Sequence, residues 1–135
     1  MSGTTRAARS RRALLLIAFL LTARLAHTDE LRTVARVLIQ SSPLAGFQFY
    51  RGKALWSEIK VGDPLVLMRE PDNPHDPNAV RVEWRGEKLG YVPRADNVDL
   101  ARHMDRGTKI EARISRLTED RDPWKRIRFD VYVQP

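Results

Sequence analysis

Apolar and polar positions alternate along most of the chain after residue 34. Ala79 to Trp84 puts Val80, Val82 and Trp84 on one face and Arg81 and Glu83 on the other, which predicts a half-buried strand. The Arg85-Gly86-Glu87 turn leads into Leu89 to Val92, so these two strands should pair as a hairpin. Ile110, Ala112 and Ile114 share a face of another strand, as do Ile127, Phe129, Val131 and Val133 of the last. Val34 to Gln40 (VARVLIQ) is rich in β-branched residues and predicts a first strand. Gly46 to Tyr50 (GFQFY) predicts a second, or a continuation of the first beyond the break at Ser41, Ser42 and Pro43. Leu65 to Met68 is a continuous apolar run and predicts a buried strand after the Val61-Gly62-Asp63-Pro64 turn. Ala54 to Ile59 has room for one helical turn.

A single longer helix is expected from Asp96 to Arg106, with Leu100, Ala101 and Met104 on one face. Asp96 or Asn97 is placed to cap its start, and Gly107 stands where a left-handed residue ends it. The link from Thr118 to Pro123 is acidic and reads as a loop. Six short strands and one helix predict a mainly β fold, a small closed or half-closed barrel.

The first 28 residues have a different pattern. Arg6, Arg9, Arg11 and Arg12 precede an uncharged apolar run of eleven, Ala13 to Ala23. A spanning helix needs roughly 20 apolar residues, whereas the central region of a signal peptide needs about 7–15. Residues 1–28 are therefore expected to be a signal peptide or a short membrane anchor, with no stable insertion elsewhere. Cleavage after Thr28, which leaves Ala26 at −3, suits the small-residue rule better than cleavage after Ala23 or Ala26. Ser10-Arg11-Arg12 is like a twin-arginine signal, but the Leu-rich run suits the general secretory route. The expected location is outside the cytoplasm, in the periplasm. A misplaced start codon would make the protein cytoplasmic, and a buried N-terminal helix is the remaining alternative.

At 135 residues the chain has room for one domain behind this leader. It has no cysteine, which excludes disulfides, thiolate metal sites and a cysteine nucleophile. The formal charge of +7 suggests a nucleic-acid partner, but five of the 24 basic residues precede Asp29, the first acidic one. The remainder carries 19 basic against 17 acidic groups, a net of +2. Most of the basicity belongs to the leader.

Glu70 to Asn78 (EPDNPHDPN) holds the candidate chemistry. Pro71, Pro74 and Pro77 fix the backbone and push the residues before them towards extended geometry, giving a stiff loop between strands. Its Asp and Asn side chains can bond nearby N–H groups, so it reads first as a well-formed turn. The second reading is a rigid loop presenting Asn73, His75 and Asp76 to a ligand.

Three stretches together carry a family resemblance. Gly46-Phe47-Gln48-Phe49-Tyr50-Arg51-Gly52 is followed by Leu67-x-Arg69-Glu70-Pro71-x-Asn73-Pro74-His75-Asp76-x-Asn78-Ala79-Val80, then by Leu89-Gly90-Tyr91-Val92-Pro93. In this order they strongly resemble the HIRAN domain, over residues 34–133. The resemblance implies an OB-like β-barrel and a short bacterial protein of a family also found beside chromatin-remodelling helicases. Eukaryotic members grip the 3′-hydroxyl end of single-stranded DNA. Carried over by motif position, Phe49 and His75 match the rings that sandwich the terminal base. Asp76 matches the carboxylate accepting the 3′-hydroxyl, and Asn73 a neighbouring polar contact. Gln48, Tyr91 and Arg94 match phosphate contacts.

This chain departs from the DNA-binding members at several of these positions. They have arginine where it has Gln48, tyrosine where it has Phe49 and His75, and histidine where it has Tyr91. The electrostatic grip is thereby weakened, in keeping with a net charge of only +2. Each residue also has a plain reading: Phe49 as a core or rim aromatic, Tyr91 as a packed strand residue, Arg94 as a solvated cation. Lys125, Arg126 and Arg128 read as a solvated outer face.

Enzyme signatures are missing from the sequence. There is no GxxxxGK[ST] phosphate loop and no nucleophile elbow, and Ser57 and Ser115 have no surrounding motif. His75 with Asp72 and Asp76 is a poor metal set, since His27 and His103 lie in the leader and the helix. The expected function is a non-catalytic module, without metal or cofactor, that binds single-stranded DNA ends. The alternative is an exported module of the same fold that binds a peptide or glycan, since OB-like barrels also take such ligands.

Overall fold

A computed structural model describes residues 35–135. The expected leader, residues 1–28, and Val34 lie outside the described residues. Six strands form one antiparallel sheet: β1 (Val37–Pro43), β2 (Pro64–Arg69), β3 (Val80–Trp84), β4 (Glu87–Tyr91), β5 (Ile110–Leu117) and β6 (Ile127–Val133). Their order is β1-β6-β5-β2-β3-β4. Two helices accompany them: the single turn α1 (Gly52–Leu55) and α2 (Arg94–Asp105).

β2 joins the halves of the sheet. Pro64 and Leu65 pair with Arg113 and Ala112 of β5, whereas Val66 to Arg69 pair with β3. The expected barrel is therefore only half closed, and β1 and β4 remain the edge strands. Their ends are joined by one bridge, in which Ala45 and Tyr91 exchange N–H···O bonds of 2.9 Å in both directions. Gly90 permits this approach, because a Cβ there would collide with the Ala45 carbonyl.

The clean alternations hold. Val80, Val82 and Trp84 are buried, as are Ala112 and Ile114 of β5 and Ile127, Phe129 and Val131 of β6. Leu100 and Ala101 bring α2 into the same core. Arg85 and Gly86, with φ of 48° and 81°, form the two-residue turn between β3 and β4.

Three boundaries differ from expectation. β1 continues through Ser41 to Pro43, because these residues pair with β6 and a terminal proline is tolerated on an edge strand. Gly46 to Tyr50 is not a strand. Gly46 adopts φ 80° and turns the chain into a 3-10 turn, Phe47–Phe49, whose Phe47 is buried against Gly52. Finally, α2 begins two residues early, after Pro93, with no side-chain cap. The side chains of Asp96 and Asn97 are engaged elsewhere: Asp96 Oδ2 accepts from the buried Ser42, and Asn97 Nδ2 donates to Asp76. Gly107 ends the helix at φ 77°, as expected.

Candidate functional site

The loop between β2 and β3 is built by its own polar side chains. Asn73 Oδ1 accepts the His75 N–H and Asp76 Oδ1 accepts the Asn78 N–H, each at 2.9 Å. Such bonds replace a backbone turn and fix the φ/ψ of the residues they span. Glu70 and Ala79 close the loop at its base, with Glu70 N donating to Ala79 O at 3.0 Å. Arg69 clamps that base to α2. Its guanidinium donates to the Ala79 and Pro77 carbonyls at 2.8 and 3.1 Å and pairs with Asp105 at 2.9 Å. The loop is the well-formed turn that the sequence suggests.

The rigid loop forms one wall of a cleft of about 670 Å³. Asn73, His75 and Asp76 meet Tyr91 from the end of β4, Arg94 from the first turn of α2, Tyr50 and Trp124 there. Tyr50 follows the 3-10 turn after β1, and Trp124 sits in a second such turn, Pro123–Lys125, between β5 and β6. Pro43, Ala45, Val92 and Pro93 give the cleft an apolar part.

Asp76 is held on both oxygens. Besides the Asn78 bond, Oδ2 accepts from Asn97 Nδ2 at 2.7 Å and lies 3.9 Å from Arg94 Nε. A carboxylate has about four acceptor sites, so capacity remains for a hydroxyl. Arg94 Nη2 donates to the His75 carbonyl at 2.6 Å, yet 73% of its side chain is exposed. The cation is steered to the cleft mouth and still faces solvent.

Behind the cleft, Glu70 organises a polar network. Its Oε2 accepts from Asn73 Nδ2 at 2.9 Å and from the Tyr91 hydroxyl at 2.8 Å, and its Oε1 lies 3.3 Å from Arg81. Lys88 Nζ donates to the same hydroxyl at 2.6 Å and lies 4.2 Å from the centre of the Tyr50 ring. Burial would push the Glu70 carboxyl up, but the bonds from Asn73 and Tyr91 and the charges of Lys88 and Arg81 hold it below its ordinary value. Lys88 is likewise pulled down by burial but raised overall by its bond to Tyr91 and the charge of Glu70. The Tyr91 phenol is raised, chiefly by burial and also by Glu70, against the lowering effect of Lys88. Its proton is therefore committed to Glu70.

Of the expected site residues, the cleft brings together Asn73, His75, Asp76, Tyr91 and Arg94. Tyr91 contributes its ring, since its hydroxyl is engaged with Glu70 and Lys88. Phe49 and Gln48 do not line the cleft. Phe49 is 75% exposed, so it is no core aromatic, and Gln48 lines a different hollow. Of the cations considered, Arg51 pairs with Glu87 at 3.3 Å and Lys53 lies beside Gln48, so Arg94 alone of the three faces the cleft. Four contributors were not expected: Tyr50, Trp124, Asn97 and Glu70. Tyr50 and Glu70 stand inside the two motifs quoted above, and Trp124 follows the Asp122-Pro123 turn signal, where a large aromatic ring in a polar loop was the available clue.

The HIRAN domain family profile matches residues 37–135, and the chain belongs to this family. HIRAN domains are generally nucleic-acid-binding modules. Two solved structures share the fold. A protein from Lactobacillus plantarum is 25% identical, with a TM-score of 0.64 over 73% of this chain and 95% of that one. The HIRAN domain of human HLTF is 22% identical, with a TM-score of 0.57 over 73% of this chain and 79% of that one. No curated protein sequence matches the chain.

Proposed function

We propose that the chain binds the 3′-hydroxyl end of a single DNA strand in the cleft and catalyses no reaction on it. The observation that carries this is the meeting of Asp76, His75 and Arg94 with the rings of Tyr50, Tyr91 and Trp124 in one cleft. Asp76 accepts the terminal hydroxyl, for which it has acceptor capacity. A 3′-phosphate at that point would lack the donor and add like charge, so the contact discriminates between ends. Arg94, at the N-terminus of α2, takes the last phosphate. The terminal base stacks against His75, with Trp124, more exposed than Tyr50 or Tyr91, as its second platform. Stacking of this kind is worth about 1–3 kcal/mol per base.

The test is fluorescence anisotropy of the full-length chain with a labelled short strand ending in a 3′-hydroxyl or a 3′-phosphate. Tighter binding of the hydroxyl end, lost in Asp76→Asn, is expected; that variant keeps an oxygen for the Asn78 N–H. Equal affinity for both ends would overturn the reading. The leader pattern over residues 1–28 supports a second one, in which the same cleft serves outside the cytoplasm and its apolar part takes a peptide or glycan. Absence of binding to either strand, with a trimmed N-terminus on the isolated protein, is the result that favours it.

A further inference from the structure

A second hollow, of about 370 Å³, lies beside the two 3-10 turns. Those turns pack against each other and stand between the two hollows: Trp124, with Tyr50 just after the first turn, lines the cleft, while Phe47, Gln48 and Pro123 line the second. Lys53, Arg121 and Arg126 converge there. The Arg126 guanidinium lies 5.3 Å from the ring centres of both Phe47 and Trp56. It is therefore not the freely solvated cation that its place in the Lys125-Arg126 run suggests.

Among the described residues, none of these three cations takes part in an ion pair and no carboxylate lines the hollow. The acidic residues next to Arg121 are turned to the loop backbone rather than into the hollow: Asp120 Oδ1 accepts the Asp122 N–H, and Asp122 Oδ1 accepts the Trp124 N–H. Arg36, Arg51, Arg69, Arg81, Arg94 and Arg102 each have an acidic partner, while other cations such as Lys60, Lys109 and Arg116 have none among the described residues; what sets Lys53, Arg121 and Arg126 apart is their convergence in one hollow. Three cations without an ion-pair partner in one concave site, one of them beside two aromatic rings, favour an oxyanion such as a phosphate.

We infer that Lys53, Arg121 and Arg126 form a second anion site, one that holds an internal backbone phosphate of the strand whose end occupies the cleft. The inference rests on the strand-end reading for its ligand. It places the phosphate grip at residues from α1 and the β5–β6 loop, beside the uncharged Gln48.

The test is the salt dependence of binding of a single strand of about 8 nucleotides, within the site size of a small barrel, to the full-length chain. Lys53→Gln and Arg121→Gln alter exposed side chains. Each is expected to lower the steepness of the slope of log affinity against log salt by about 0.7, with the ratio of 3′-hydroxyl to 3′-phosphate binding unchanged. Lys109→Gln, an exposed lysine that lines neither hollow, should change the slope less. An unchanged slope in the first two variants, or an equal fall in Lys109→Gln, would overturn the site. If the wild-type chain shows no end preference but the slope falls as expected, the end reading fails and this site stands. A strand that does not bind at all removes both.

Discussion

Asp76 depends on a buried neighbour on α2. Asn97 is 2% exposed, and its amide is the donor nearest Asp76 Oδ2. Truncating it leaves a half-buried carboxylate oxygen short of a partner, which costs about 1–3 kcal/mol. Asn97→Ala is therefore expected to lower the denaturant midpoint and weaken discrimination between strand ends, measured by unfolding and by anisotropy. Glu70 gives a pH signature. Its folded pKa is lowered from the ordinary 4.5, so the folded state binds fewer protons there. The stability this contributes is complete above that value and is withdrawn as pH falls below it. Glu70→Gln should be less stable at neutral pH and show a flatter acid limb, measured as denaturant midpoint against pH. The sequence offered Asp76 and His75 directly, because a proline-stiffened loop presents its polar residues whatever surrounds it. It did not offer Asn97, whose position in the chain suits a helix cap equally well; only the approach of α2 to the loop gives its amide to Asp76.

At the scale of elements, the cleft exists because two distant segments are tied at one bridge. Ala45 and Tyr91 exchange backbone hydrogen bonds, and this brings the chain after β1 against the end of β4. Gly90→Ala places a methyl group against the Ala45 carbonyl, and backbone gives way less readily than a side chain. Overpacking of this kind costs about 1–3 kcal/mol. The variant is expected to remain folded with a lowered thermal midpoint and weakened strand binding, since Tyr50 and Tyr91 lie on the two segments the bridge joins. An unchanged midpoint would show that the bridge is dispensable. Elements with long alternations, β3, β5 and β6, were legible because each buries one face in the shared core. The GFQFY stretch was not, because five residues of alternation fit either a strand or a turn. Gly46 in the left-handed region and the contact of Phe47 with Gly52 decide for the turn. Half-closure was likewise beyond the pattern, which sets the faces of strands but not the angle at which β2 passes from one half to the other.

For the whole molecule, the distribution of charge matters more than its sum. Residues 35–135 hold 18 basic and 15 acidic groups, and six of the arginines are in ion pairs. A uniformly basic surface would attract nucleic acid at many points and lose it steeply with salt. In the cleft and the second hollow the cations are Arg94 and, respectively, Lys53, Arg121 and Arg126. At about 0.7 per phosphate neutralised on a single strand, these four give a slope of log affinity against log salt of about −2 to −3. Arg94 contributes less than a full share because Asp76 lies 3.9 Å away. On the proposed strand-end reading, most of the remaining affinity comes from stacking and from the Asp76 hydrogen bond, neither of which salt screens strongly. Binding is therefore expected to persist at salt concentrations that dissociate a non-specific basic protein, and end preference should grow in relative weight as salt rises. Anisotropy across a salt series with both strand ends checks this. A slope twice as steep, with the preference fading at high salt, would mean that the strand is held over the general surface rather than at its end.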